Sequence, residues 1–173
     1  MRTATGIGVC ILIVLILPTA AQEPDRMAGF GFLLGDWNLV YDIPQSEISQ
    51  AMTGTGMGTF KRDLNHYVFF DYTARIMGSE SAAHAVFTRD SKIGMYRYWW
   101  FEDSGQFMTA VCRFVNDSTL YMNWHNSLLS QTFTRVHADS VRLDMQRPDA
   151  AGKPERLMTV MLIRRQPGNE NTH

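Results

Sequence analysis

Cysteine is almost missing from this 173-residue chain, which has only Cys10 and Cys112. Cys10 sits in the apolar run VCILIVLILP near the start. If that run is a leader, Cys112 is left without a partner. No internal disulfide can then hold the fold, and packing has to. Basic residues neither dominate nor cluster: 16 Lys and Arg stand against 17 acids. There is no positive stripe of the kind that follows a nucleic-acid backbone, so no nucleic-acid partner is expected. The chain has no Gly-x-Ser-x-Gly elbow, no glycine loop entering a helix, and no His-x-x-x-His pair. Apolar residues spaced three and four apart never persist long enough for a helix.

What is present begins with a leader. Arg2, the apolar run and the small residues TAAQ predict a secretory signal peptide over residues 1–21, cut after Ala21. The alternative is an uncleaved anchor. Cys10 lies at the start of the run rather than after it, which does not suit a lipoprotein. The mature chain is then expected to be secreted or periplasmic, with no transmembrane span and a net charge of about −2 once Arg2 is lost. Residues 22–29 are expected to be a flexible N-terminal segment, 30–166 one domain, and 167–173 a disordered tail.

Over 30–166 the side chains alternate. FLLGDWNLVYDI sets Trp37, Leu39 and Tyr41 against Asn38, Val40 and Asp42. HYVFFDYTARIM sets Val68, Phe70 and Tyr72 against Phe69, Asp71 and Thr73. FMTAVCRFV, TLYMNWH and SVRLDMQ repeat the pattern, with Asp/Asn/Ser/Gly turns roughly every ten residues. This predicts an all-β, antiparallel up-and-down barrel of nine to ten strands, with a sandwich as the alternative. GTGMGTF lies within a strand-like run, where glycine relieves crowding rather than cradling phosphate.

Three chemistries compete for the site. His66, His84, His125 and His137 lie on separate segments, and a haem or zinc ligand among them is one reading, with His84 and His125 the first candidates. Asp71, His84, Glu102 and His125 are candidate catalytic groups for a small hydrolase or isomerase. The competing account has Asp71 paired with Arg75 and Glu102 facing water. The better-buried faces are rich in aromatics and methionine, including Trp37, Tyr41, Phe70, Tyr72, Met108, Met122, Trp124 and Met145. Such a lining suits an apolar or loosely specified ligand, or packs on itself in a filled barrel that serves as a structural module. Cys112 reads as a small buried hydrophobe.

MYRYWWFED, residues 95–103, carries aromatics on both faces, and alternation does not say which face points inward. Several short motifs lie along the chain: LGDWNL at Leu34–Leu39, GTGMGTF at Gly54–Phe60, HYVFFDYTARIMG, FTRDSKIGMYRYWWFEDSG and the closing MTVMLIRR. In these the chain resembles the DUF1579 group of uncharacterised lipocalin-like proteins. The resemblance implies a calycin-like barrel and no established activity. It departs at Phe87–Asp90, where the family has Tyr-Asp. It also implies that Tyr96, Tyr98 and Trp100 face inward. Trp99 and Phe101 would then join Phe69, Phe107 and Val111 in an outer apolar patch fit for a homodimer contact. A barrel of this fold holds haem through a histidine on a late strand, and RLMTVMLIRR has none. No cofactor is therefore expected. The expected role is non-enzymatic binding of a small apolar or amphipathic molecule by Trp37, Tyr41, Phe70, Tyr72, Tyr96, Tyr98, Trp100, Met122 and Trp124, with Trp37 closing one end.

Overall fold

The computed structural model describes residues 25–46 and 50–166. The leader and the tail expected over 167–173 lie outside the described residues. Ten strands follow one another: β1 Gly35–Ile43, β2 Met52–Asp63, β3 Tyr67–Ile76, β4 Ser79–Asp90, β5 Met95–Glu102, β6 Phe107–Asn116, β7 Thr119–Trp124, β8 Ser130–His137, β9 Ser140–Pro148 and β10 Pro154–Arg164. Each pairs antiparallel with the next, and β1 pairs with β10, so the up-and-down barrel is closed and leaves no sheet edge. The sandwich alternative is thereby excluded.

Local chemistry makes the reversals. The side chains of Asp90 and Asn116 accept the backbone N–H two residues on, at 2.9 Å in both cases. Asp149 accepts from Ala151 and Lys153 at 2.8 Å. These are Asx turns, and they mark where β4, β6 and β9 stop. In β2 the glycines occupy the inward positions. A Cβ on Gly56 would lie 2.2 Å from the Thr73 carbonyl oxygen, and one on Gly58 would lie 2.6 Å from the Phe70 ring. The missing side chains let β3 close tightly over β2 and let Phe70 stack on Phe60 at 3.9 Å.

One end of the barrel is plugged. Residues Ala28–Phe32 form a short 3-10 helix. It drives Phe30 between Phe87, Tyr96 and Phe114, with ring centroids 5.0–5.1 Å apart. Met27 and Leu33 are buried beside it. This corrects the expectation of a flexible segment reaching residue 29: Met27 belongs to the core. The plug is tied to the last strand. The Arg164 guanidinium donates to the carbonyls of Leu34 (2.6 Å) and Phe32 (3.4 Å) and lies 4.2 Å from the Trp37 ring centroid. Trp37 Nε1 donates to the Leu33 carbonyl at 2.7 Å. Gly35 has φ +117°, and a Cβ there would meet the Arg164 Nη1 at 2.5 Å, so glycine is required on two counts.

Replacing Arg164 with Met should therefore cost about 2–4 kcal/mol, from a lost cation–π contact and lost charged hydrogen bonds. Lys at the same place should recover less than half, because it lacks the planar fork. Urea-unfolding midpoints read both variants. A loss below about 0.5 kcal/mol for the Met variant would show that other contacts hold this end.

Candidate functional site

The strands run from the plugged end to an opposite mouth, and the inward side chains change character along the way. At the plugged end Trp37, Phe60, Val68, Phe87, Cys112, Leu120 and Met122 are packed and buried. Toward the mouth the packing opens into a cavity of about 130 Å³. Its walls include Tyr41, Phe70, Tyr72, Tyr98, Trp100 and Trp124, and Met108, Met145 and Met158 stand among the lining side chains. Tyr98 and Trp100 each meet Trp124 edge-on, at 5.4 and 6.2 Å. Phe70 and Tyr72 stack at 5.0 Å. The inward side of β5 is thus the tyrosine side: Tyr96 and Tyr98 are buried, while Phe101 is exposed on the outside.

Six of the nine residues assigned to the ligand line this cavity: Tyr41, Phe70, Tyr72, Tyr98, Trp100 and Trp124. Trp37, Tyr96 and Met122 do not. Trp37 lies under Arg164 in the seal. Tyr96 packs on Phe30 and Phe114 and donates its hydroxyl proton to the Arg26 carbonyl at 2.7 Å. Met122 is wholly buried in the packed layer. All three point inward, but too near the plug to reach the cavity. Leu129, Gln131 and Phe133 also line it. SQTFTRV has the alternation that could have disclosed Gln131 and Phe133, although the strand is short. Leu129 sits in a turn and has no such signal.

No charged side chain lines the cavity. Burial pushes the pKa of Tyr41, Tyr72 and Tyr98 up, so the hydroxyls stay protonated and act as donors. The Tyr72 hydroxyl accepts the Trp100 Nε1 proton at 3.0 Å. Among the described residues the hydroxyls of Tyr41 and Tyr98 and the Gln131 amide have no hydrogen-bond partner. The buried Trp124 Nε1 has none either.

The four candidate catalytic residues lie outside the lumen. Asp71 and His84 face each other across β3 and β4 and pair through Nδ1 on the outer wall, half exposed. Asp71 therefore does not pair with Arg75, which instead meets Glu80. Cross-strand register brings His84 beside Asp71, while Arg75, four residues along the same strand, meets its own cross-strand neighbour Glu80. Glu102 accepts from Ser104 Oγ at 2.7 Å, and His125 Nδ1 meets Thr109 Oγ1 at 2.8 Å. Asp71, His84 and Glu102 line one open surface groove, His125 lies apart from them, and none of the four lines the cavity. His66 and His137 are also exposed, so no described histidine reaches the lumen to ligate a haem iron. Among the described residues no group of three or more His, Cys, Asp or Glu side chains could hold a metal. On the outer wall Phe101 and Phe107 are exposed and lie 6.5 Å apart, beside the less exposed Phe69, Trp99 and Val111.

The buried hydroxyls carry a pH signature. Unfolded tyrosines ionise near pH 10, while Tyr41, Tyr72 and Tyr98 keep their protons in the fold. Above about pH 10 the unfolded state binds fewer protons, so stability is complete below that pH and falls as pH rises. Burial raises the Cys112 thiol as well and adds to the same slope. Urea midpoints between about pH 9 and pH 11 should fall steeply, and Tyr98→Phe should flatten the fall. A thiol reagent should label Cys112 only after unfolding. Labelling of the native protein would show that the layer around Cys112 opens.

No family model and no curated protein matches the chain. Solved structures do. The crystal structure of Rv2717c from M. tuberculosis aligns over 81% of this chain and 97% of its own, with 11% identity and a TM-score of 0.58. The S-type phycobiliprotein lyase CPES from Guillardia theta aligns over 83% and 98%, with 10% identity and a TM-score of 0.45. A redesigned β barrel, mFAP0, bound to DFHBI, aligns over 77% and 99%, with 12% identity and a TM-score of 0.45. At such identities the likeness to Rv2717c shows the fold alone: this chain is similar to it as a closed antiparallel barrel.

Proposed function

We propose that the protein is an exported, non-enzymatic barrel that binds one small apolar or amphipathic molecule in its lumen, and that it belongs with the lipocalin-like DUF1579 proteins. The observation that carries this reading is the uncharged cavity of about 130 Å³ beneath the mouth. A barrel serving only as a filled scaffold would have closed this space, because interiors pack to near-crystalline density. Apolar cavities of about this size accept a single benzene ring. A larger guest needs the walls to give, and Met108, Met145 and Met158 are the side chains most able to do so. The hydrolase reading has no support from the lumen, whose lining includes no carboxylate and no histidine.

Toluene is the simplest probe. It should raise the urea midpoint in a concentration-dependent way, by about 2.7 kcal/mol when present at a hundred times its Kd. Val160 lines the cavity, and Val160→Phe should fill it and abolish the response while near-UV circular dichroism confirms a folded barrel. Absence of any effect of toluene and of its polar single-ring analogues on the wild-type protein would end the lumen-binding reading. Native mass spectrometry of gently purified protein should in addition reveal a retained small molecule.

A further inference from the structure

We infer that the lumen selects a neutral single-ring aromatic molecule bearing hydrogen-bond acceptors, in preference to a plain hydrocarbon or an anion. This rests on the lumen-binding reading and narrows it. The size argument sets the one-ring limit: about 130 Å³ holds a substituted benzene and no extended chain. The ring faces are supplied by Tyr98, Trp100 and Trp124, which already meet edge-on around the space.

The polar requirement comes from the donors. Tyr41, Tyr98, Trp124 and Gln131 line the cavity and are each more than nine-tenths buried. Trp124 Nε1 is buried without a partner, and the hydroxyls of Tyr41 and Tyr98 and the Gln131 amide, which form no side-chain hydrogen bond among the described residues, are open to the cavity space. Tyr72 accepts a proton from Trp100 and leaves its own without an acceptor among those residues. Buried polar groups are almost always hydrogen-bonded, and a cluster of unpaired donors around one cavity is a cost that an acceptor-bearing guest removes. An oily guest leaves that cost standing.

Charge selection follows from the same wall. No Lys, Arg or His lines the cavity to compensate an anion. Tyr72, Glu102 and Asp103 line one groove at the surface, and the two carboxylates add to burial in pushing the Tyr72 pKa up, against the Trp100 hydrogen bond that lowers it. An anion entering past Tyr72 meets two carboxylates and then an uncompensated interior.

The test compares nitrobenzene with toluene, which share a ring and differ in acceptors, and follows 4-nitrophenol, whose absorbance reports its protonation state. Nitrobenzene should bind at least about tenfold more tightly than toluene. Bound 4-nitrophenol should be the neutral phenol, with its ionisation shifted up by at least one unit, equivalent to phenolate binding about tenfold more weakly. In Tyr98→Phe and Gln131→Leu the nitrobenzene-to-toluene ratio should fall toward one. The ratio is the readout, so a general loss of affinity does not mimic the result. Equal binding of toluene and nitrobenzene, or phenolate binding as tightly as phenol, overturns the inference and leaves the lumen-binding reading standing. Failure of toluene and nitrobenzene alike overturns both.

Discussion

The structure depends on one arginine meeting one indole. A closed ten-strand barrel has two open ends, and its first and last strands must be locked together for closure to survive. Arg164 does both tasks. It comes from the last residue of β10, covers the Trp37 ring of β1, and donates to the carbonyls of Phe32 and Leu34 as the 3-10 helix leads into β1. Those carbonyls would otherwise be left unpaired at a helix end. The Trp37 Nε1 bond to Leu33 ties the same turn from inside. Seam and plug are held by the same few contacts.

That seal divides the interior by depth. Below it, large rings and Met122 interlock around Phe30, and nothing is free to move without breaking several aromatic contacts. Nearer the mouth the inward positions change to Met108, Met145, Met158 and Leu129, which are only partly buried. Unbranched side chains rearrange at small cost, whereas packed rings do not. Rigidity at one end and adaptability at the other bound the cavity, and on the proposed reading a guest would enter from the methionine side.

Alternation along the strands was enough to read the fold, because a side-chain period of two survives any tertiary context that buries one face. It also separated Tyr98 and Trp100 from Trp99 and Phe101 once one face was assigned inward. Position along the barrel axis is not encoded in that period. Trp37, Tyr96 and Met122 therefore read like Tyr41, Tyr98 and Trp124, although they sit a layer deeper. The plug was illegible for another reason: MAGFGF is too short for helical periodicity and lies where a chain is expected to fray. The Asp71–His84 pair needed the register of β3 against β4, and no single strand contains that information.

The same separation of face from depth decides what the polar atoms mean. Tyr96 and Tyr98 are neighbours on one face of one strand, chemically identical and both buried. Tyr96 lies beside the plug, where the Arg26 carbonyl takes its proton and makes it part of the seal. Tyr98 lies one step higher, where no backbone end is within reach, and its hydroxyl remains unspent. Buried hydroxyls that terminate structural elements are satisfied by the fold itself. Those left over in the middle of the wall, with Gln131 and Trp124 nearby on β8 and β7, have no partner among the described residues and are left to whatever occupies the cavity.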